Sequence, residues 1–194
     1  MYNAAIEISL HTFTDASEDA YAVVIYARTE TPSACSCQLV ISKSKVAPIQ
    51  STSVPRLELL AAMKGSELAK KVAKSMQYDI NKVVFWTDSL DVLGWIKSRS
   101  RAFKPFVAHK LGKIHGLNKP IQWRYVPSKV NPADLATHPT RLLDLKNNDT
   151  WINGPEFLKK QENEWPQHHS LDKEPNLKEL REKGRELSVV EYRQ

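Results

Sequence analysis

Residues 82–88, KVVFWTD, are the stretch that decides the fold of this chain. A short apolar run that ends in Thr-Asp is typical of a strand buried on both faces of a parallel sheet. Upstream, residues 6–14, 20–29 and 34–45 are rich in β-branched and aromatic residues, and their short connections predict three antiparallel strands. Because a strand of the parallel type follows this meander, the sheet is predicted to be mixed.

The segment between the third and fourth strands has the apolar spacing of a long helix. Apolar residues recur at helical intervals over about 55–76, and Pro55 is acceptable in the first turn. The other predicted elements are helices over 89–97, 103–117 and 132–137 and a strand over 121–126. The order βββαβααβα predicts an α/β fold, with a five-stranded mixed sheet and helices on both faces.

The composition favours a globular chain with a mildly basic body. Of the 194 residues, 41% are hydrophobic and 26% are charged, which is enough apolar content for a core. Residues 1–154 contain 20 basic and 13 acidic side chains, an excess that is compatible with a polyanionic partner. The longest unbroken apolar run, Ala20–Ala27, is far shorter than the roughly 20 residues of a membrane-spanning helix, so no membrane contact is expected.

The cysteines and the two ends of the chain narrow the class of protein further. Cys35 and Cys37 are the only cysteines, which excludes a disulfide-stapled scaffold and a zinc site made of four cysteines. Residues 1–10 lack a basic start followed by an apolar stretch, so no signal peptide is expected and an intracellular protein is favoured. Since apolar periodicity fades toward the C-terminus, we predict a domain over 1–150, a C-terminal extension over 151–166 and a charged linker or tail over 167–194.

Four acidic residues stand where predicted strands end or helices begin. Asp15 follows the first strand and Asp88 the fourth, and the carboxyl ends of parallel neighbours meet at one edge of a sheet. Glu58 and Asp134, each predicted in the first turn of a helix, can complete the cluster. Like charges this close repel unless a cation lies between them, and carboxylate oxygens are the ligands that Mg²⁺ prefers. The pattern therefore predicts a Mg²⁺ site, and two such ions close together can activate a water for phosphodiester cleavage.

Each of these acids also has an ordinary structural interpretation. An Asp before Ser at the end of a strand is commonly a turn or cap residue, and an acid in a first helical turn is favoured by the helix dipole. Glu58 fits this interpretation least, because it lies between Leu57 and Leu59 and an unpaired buried carboxylate is strongly destabilising.

Four motifs in this order carry a resemblance to a known family: FTDAS (13–17), PRLELLAA (55–62), FWTDS (85–89) and YVPSKVNPADLAT (125–137). They resemble the ribonuclease H domain of retroelement polyproteins, particularly that of the BEL/Pao group of LTR retrotransposons. The stretch TWINGPEFL…EWP (150–166) looks like the segment that follows this domain there, ahead of the integrase. The resemblance covers about Ser9 to Pro166.

The resemblance implies a ribonuclease H-like fold and a nuclease that cleaves the RNA strand of RNA–DNA hybrids with two metal ions. By motif match, Asp15, Glu58, Asp88 and Asp134 are the catalytic and metal-binding residues, with Mg²⁺ as the ion and Mn²⁺ as a substitute. It also implies a reverse transcriptase and an integrase within the same polyprotein. The resemblance further implies that the protein is located in the cytoplasm, in a retroelement particle, or in the nucleus.

The sequence departs from the family pattern at three places. Ala16 stands where many ribonucleases H have Gly, and the loop 127–130 lacks the His that cellular enzymes carry there. The stretch 98–102 is also too short for their basic helical protrusion. The basic residues near this stretch are interpreted as a reduced substitute for the protrusion. Contacts with the sugar–phosphate backbone are therefore predicted for these residues and for polar side chains near the acids. The predicted nucleic-acid-binding residues are Ser17, Ser89, Lys97, Arg99, Arg101, Lys104 and Lys129.

Other interpretations stay open beside the hybrid nuclease. The basic stretch can be an ordinary solvated turn, and capping of the following helix is the simpler role for Ser89. His138 is close in sequence to Asp134 and can approach the acids. The chain can also be a nucleic-acid-binding or spacer module of the same fold that has lost turnover. A third alternative is an enzyme of this fold that acts on DNA structures, as resolvases and integrases do.

Overall fold

The computed structural model describes residues 6–48, 52–138, 148–167 and 177–180 of the chain. The strands are β1 (Glu7–Ala16), β2 (Ala20–Glu30), β3 (Cys35–Val46), β4 (Val84–Thr87) and β5 (Trp123–Tyr125). They form one sheet in the order β3-β2-β1-β4-β5, in which β2 is antiparallel to both β1 and β3, and β4 is parallel to both β1 and β5. The predicted mixed sheet is therefore confirmed.

The helices lie close to their predicted places. They are α1 (Val54–Ser75), α2 (Leu90–Lys97), α3 (Pro105–His115), α4 (Asp134–Thr137) and α5 (Asp149–Asn153). Strand β1 continues two residues beyond its predicted end, because Asp15 and Ala16 still pair with β2. In the described residues, no helix is both long and apolar enough to cross a membrane.

Helices α1, α2 and α3 cover one face of the sheet, as the buried residues they share with the strands show. Gly65 of α1 lies directly on β1: a Cβ built there would be 2.6 Å from Cγ2 of Thr14. Only a residue without a side chain allows this approach. The close contact fixes α1 across β1 and brings its N-terminal end, which carries Glu58, toward the carboxyl end of the strand.

The opposite face of the sheet is covered by α4, α5 and the chain that follows them. Trp151, Leu158 and Trp165 are buried there against Phe13 and Trp86. The predicted extension 151–166 thus contributes side chains to the second core of the sheet. The domain division predicted at residues 150 and 166 stays a prediction.

A short part of the predicted tail also contacts the face of the sheet that α1, α2 and α3 cover. Leu180 is buried and forms an isolated bridge with Phe103, and the Glu179 carboxylate accepts two hydrogen bonds from the Arg56 guanidinium, at 2.9 and 3.1 Å. The Lys104 amide donates to the Glu179 carbonyl. The described residues 177–180 therefore lie against α1 and the start of α3.

Candidate active site

The parallel pairing of β1 and β4 builds the base of the site. Thr14 is in register with Thr87, so Asp15 and Asp88 are the next residues on adjacent strands. Both stand at the carboxyl edge of the sheet, where strands of an open α/β sheet commonly present functional side chains. The predicted juxtaposition of these two acids is confirmed by the register.

Asp15 is deeply buried for a carboxylate, with 6% of its surface exposed. Burial raises its pKa to about 6, and the negative charges of Asp88 and Asp134 act in the same direction. The hydroxyl of Thr137 opposes this rise, because it donates a hydrogen bond to Oδ2 of Asp15. The carboxyl group is therefore harder to ionise than an ordinary Asp.

Glu58 approaches the same point from α1. Burial raises its pKa to about 7; the Ser89 hydroxyl donates a hydrogen bond that lowers it, and the charges of Asp88 and Asp15 raise it. The prediction that Glu58 lies in the first helical turn is wrong, because α1 begins at Val54 and its first turn holds no acid. The helix dipole therefore does not explain the position of this carboxylate.

Asp88 has the least satisfied carboxylate of the group. Burial raises its pKa, while the side chains of Ser128 and Asn131 form hydrogen bonds with it that lower the pKa. Within the described part of the chain, its Oδ1 atom is buried without a hydrogen-bond partner. A buried carboxylate oxygen without a donor is costly, and a bound cation would satisfy it.

Asp134 is the first residue of α4 and is half-buried. Its Oδ1 lies 3.2 Å from Nδ1 of His138, and the same nitrogen is 2.9 Å from the Asp134 backbone carbonyl. The positive charge of His138, when protonated, also lowers the pKa of Asp15. His138 therefore does approach the acids, as its place in the sequence allowed.

The charges of Asp88 and Asp134 raise the pKa of Asp15, and those of Asp88 and Asp15 raise the pKa of Glu58, but the four carboxylates do not form a complete set of metal ligands. Over the described residues, no three His, Cys, Asp or Glu side chains are arranged to hold a metal ion. The donor chemistry nevertheless fits Mg²⁺: all the side chains offer carboxylate oxygens, and the buried Oδ1 of Asp88 lacks a partner.

The predicted nucleic-acid contacts fall into two groups. The basic side chains are exposed on the α2–α3 connection and on the loop before α4: Lys97, Arg99, Arg101, Lys104 and Lys129. The two serines have internal partners instead. Ser89 accepts a hydrogen bond from the Val92 amide as the cap of α2, and Ser17 donates to the Thr137 carbonyl at 2.8 Å. Both serines thus support the residues that carry the acids.

Sequence reasoning did not identify the polar residues that orient the carboxylates. These are Ser128, Asn131 and Thr137, all within the stretch 125–137. Asn131 also donates to the Thr14 carbonyl and accepts from the Ala133 amide, so it joins β1 to the start of α4. The available signal was the density of small polar residues around Asp134, but the pattern indicated only a turn and a helix start.

A comparison with protein families finds one match to this chain. Residues 1–89 match the family described as Pao retrotransposon-like RNaseH-like domain. The RNase H-like resemblance is thereby confirmed, and with the observed sheet order the predicted RNase H-like fold is confirmed too. The matched residues include Asp15, Glu58 and Asp88, while Asp134 lies beyond them. Among curated proteins, no match to the chain was found.

Several solved RNase H structures are similar to the domain at low sequence identity. The N-terminal RNase H domain of rv2228c from Mycobacterium tuberculosis, fused to maltose-binding protein, is 12% identical with a TM-score of 0.44, covering 72% of this chain and 99% of that one. LC11-RNase H1 in complex with an RNA/DNA hybrid is 15% identical with a TM-score of 0.43, covering 66% and 91%. RNase H1 from the halophilic archaeon Halobacterium salinarum is 12% identical with a TM-score of 0.42, covering 71% and 98%.

Proposed function

We propose that this RNase H-like domain is a metal-dependent endonuclease that cleaves the RNA strand of RNA–DNA hybrids as part of a retroelement polyprotein. The observation that carries the proposal is the convergence of four carboxylates from β1, α1, β4 and α4 at one edge of the sheet. Burial of three of these acids has no evident structural benefit, since it raises their pKa values and leaves an oxygen of Asp88 without a donor. Such an arrangement is typical of a functional site.

The residues that would hold the ions are Asp15, Glu58, Asp88 and Asp134. When bound, Mg²⁺ supplies an activated water and stabilises the leaving 3′ oxygen. The chain's own contribution is to hold the ligands in place: Thr137 orients Asp15, and Ser89 orients Glu58. Because the pKa values of Asp15 and Glu58 are about 6 and about 7, both must lose their protons before they can serve as ligands.

Selectivity for the hybrid would come from backbone contacts and not from reading of bases. The exposed basic side chains on the α2–α3 connection offer phosphate contacts without sequence information. Discrimination of RNA from DNA would rest on the 2′-hydroxyl groups in the minor groove. A reverse transcriptase and an integrase in the same polyprotein are the partners that this proposal implies.

The decisive experiment measures cleavage of labelled RNA–DNA hybrid, duplex DNA and duplex RNA, each with Mg²⁺ and with EDTA. We expect cleavage of the hybrid alone, with products that carry a 5′-phosphate and a 3′-hydroxyl. Glu58→Gln should reduce single-turnover cleavage by orders of magnitude, and Asp134→Asn by less, because Asn retains a carbonyl oxygen. Asp91→Asn is the matched control, since Asp91 also raises the pKa of Glu58 but lies on α2 outside the four acids.

The outcomes separate the alternatives. Parental cleavage by folded Glu58→Gln protein would refute the assignment of the acids. A parent that binds hybrid but cleaves nothing with Mg²⁺ or Mn²⁺ would be a binding or spacer module. Cleavage of duplex DNA in preference to the hybrid would indicate an enzyme that acts on DNA structures.

A further inference from the structure

A second basic region lies away from the acids, between α1 and the edge of the sheet. It borders a cavity of about 190 Å³ whose lysines come from two elements: Lys43 and Lys45 from β3, and Lys64 and Lys71 from α1. The floor of the cavity is apolar and is formed by Tyr21, Val23 and Leu68, all buried. The lysines therefore form a positively charged rim above an apolar floor, and this feature is called the lysine cleft below.

The charge of the lysine cleft is poorly compensated. Glu67 is the acid in its lining, and its carboxylate is already paired with Lys64 at 2.8 Å. Among the described residues, the other cleft lysines make no ion pair with an acid. Lys110 of α3 adds a further positive charge near Lys64, and its pKa is lowered by burial and by the positive charges of Lys113 and Lys64. Like charges are thus crowded on this side of the molecule, as at a site for an anionic ligand.

The register of the sheet relates the lysine cleft to the acids. Tyr21 pairs with Ala16 on one side and with Lys45 on the other, so Lys45 lies on the α1 face of the sheet, whereas Asp15 pairs with Ala22 and its side chain points to the opposite face, toward Thr137. Two strand spacings separate β1 from β3, which is about 10 Å. Along α1, Lys64 follows Glu58 by about 9 Å and Lys71 by about 20 Å, at ~1.5 Å per residue.

We propose that the lysine cleft is a second contact for the sugar–phosphate backbone of the nucleic acid held at the acids. The inference rests on the proposed function and adds to it the place where the nucleic acid makes a second contact with the domain. At about 3.4 Å of axis per nucleotide, a separation of about 9–20 Å corresponds to roughly three to six nucleotides from the point of cleavage. Lysine ammonium groups bind phosphate as point charges, and the apolar floor can accept the face of a sugar.

A purely structural role for the strand lysines makes a different prediction. Strand β3 is at the edge of the sheet, and lysines on an edge strand discourage pairing with another chain. On that role, replacing Lys43 and Lys45 would promote self-association and would leave nucleic-acid binding unchanged. The two roles are therefore separated by measuring binding and oligomeric state on the same variant.

The test is hybrid binding by fluorescence anisotropy in EDTA, where cleavage does not interfere, over a series of salt concentrations. The variant is Lys43→Gln/Lys45→Gln. The matched control is Lys82→Gln/Lys119→Gln, which removes the same charge from two exposed lysines near Asp79, at the opposite end of β4. We expect the cleft variant to lose affinity tenfold or more at about 0.1 M salt and its log–log salt slope to fall by up to about 2, with the control close to the parent.

Each outcome bears on one proposal or on both. If the parent binds and cleaves hybrid but the cleft variant keeps the parental salt slope, the lysine cleft is not a phosphate contact and the proposed function stands. Self-association of that variant in sedimentation, with unchanged binding, would assign the lysines to edge protection. If the parent fails to bind hybrid at all, the proposed function fails and this inference fails with it.

Discussion

The hydroxyl of Thr137 donates a hydrogen bond to Oδ2 of Asp15, across 122 positions of the sequence. This bond joins the short helix α4 to the end of β1 and lowers the pKa of a carboxyl group that burial raises. It ties the last of the four acids, Asp134, to the first, because α4 carries both Asp134 and Thr137. The ionisation of the site therefore depends on how α4 docks against the sheet.

Thr137→Val should raise the pKa of Asp15 further, because the side chain loses its donor while burial is retained. A hydrogen bond to a charged group contributes about 1.5–3 kcal/mol, so a shift of about one pH unit or more is expected. The measurement is an NMR titration of carboxyl carbons with metal absent. Thr137→Ser, which keeps the hydroxyl, is the control and should titrate like the parent; an unshifted Asp15 in the Val variant would contradict the role given to this bond.

Asp15→Asn should stabilise the metal-free protein more at pH 8 than at pH 4. A carboxyl group with a raised pKa stabilises the folded state below its unfolded pKa of 3.8, and this contribution is lost as the pH rises through about 6. The ionised parent therefore carries a cost of up to about 3 kcal/mol at high pH that the Asn variant lacks.

The measurement is urea unfolding of both proteins in EDTA at the two pH values. Asp79→Asn provides the contrasting control, because the pKa of Asp79 is lowered by the Asn81 amide and side chain. Stability from Asp79 is present at high pH and lost on acidification, so its variant should show the opposite trend. Equal effects of Asp15→Asn at pH 4 and pH 8 would show that burial does not perturb this group.

Millimolar Mg²⁺ should raise the melting temperature, and by more at pH 8 than at pH 5. A ligand that binds only the folded state stabilises it by about 2.7 kcal/mol at one hundred times its dissociation constant. Protons compete with the ion at Asp15 and Glu58, whose pKa values of about 6 and about 7 make them largely protonated at pH 5. Identical melting curves with Mg²⁺ and with EDTA at pH 8 would argue against a cation site at the four acids.

Arg99→Ala/Arg101→Ala should weaken hybrid binding and make it less dependent on salt. Both side chains are exposed on the α2–α3 connection, where they can release counterions from phosphates. The log–log salt slope should become shallower by up to about 2. A slope equal to that of the parent would show that Arg99 and Arg101 do not contact phosphates and that this connection is an ordinary solvated turn.

Trp165→Ala should strongly destabilise the whole domain. The indole is buried at 6% exposure, packs edge-on against His11 with ring centroids 5.2 Å apart, and lies under the guanidinium groups of Arg28 and Arg124. Loss of a buried Trp side chain costs about 3–5 kcal/mol, which urea unfolding measures directly. Ile152→Ala, at an exposed position of the same segment, is the control; an equally small effect of both substitutions would make residues 151–166 dispensable for folding.

Local patterns were sufficient to predict most of the fold. The β-rich composition of β1 and β2, the helical stripe of α1 and the continuous apolar run of β4 depend only on neighbouring residues, so they appear in the sequence directly. The parallel pairing of β1 with β4 followed from element order, because a long helix separates them. The family resemblance also came from short motifs, and its confirmation over residues 1–89 covers three of the four acids.

The ionisation and the hydrogen-bond partners of the acids could not be predicted from local sequence patterns. The positions of Asp15, Glu58, Asp88 and Asp134 could be predicted, but their catalytic role stays a prediction. Their ionisation depends on burial and on donors that are distant in sequence, such as Thr137 for Asp15 and Asn131 for Asp88. No local pattern encodes which hydroxyl or amide will reach a given carboxylate.

The sequence by itself determined the strands and helices, their order and the presence of acids where β1 and β4 end and where α4 begins, because these depend on periodicity and turn chemistry along the chain. The tertiary structure alone decided three further features: the raised pKa values of Asp15 and Glu58, the burial of Trp165 against Arg28 and Arg124, and the meeting of β3 and α1 lysines at one cleft. The physical reason is that burial and charge–charge interaction depend on distances in space. Those distances are fixed only when the layers of the fold pack together.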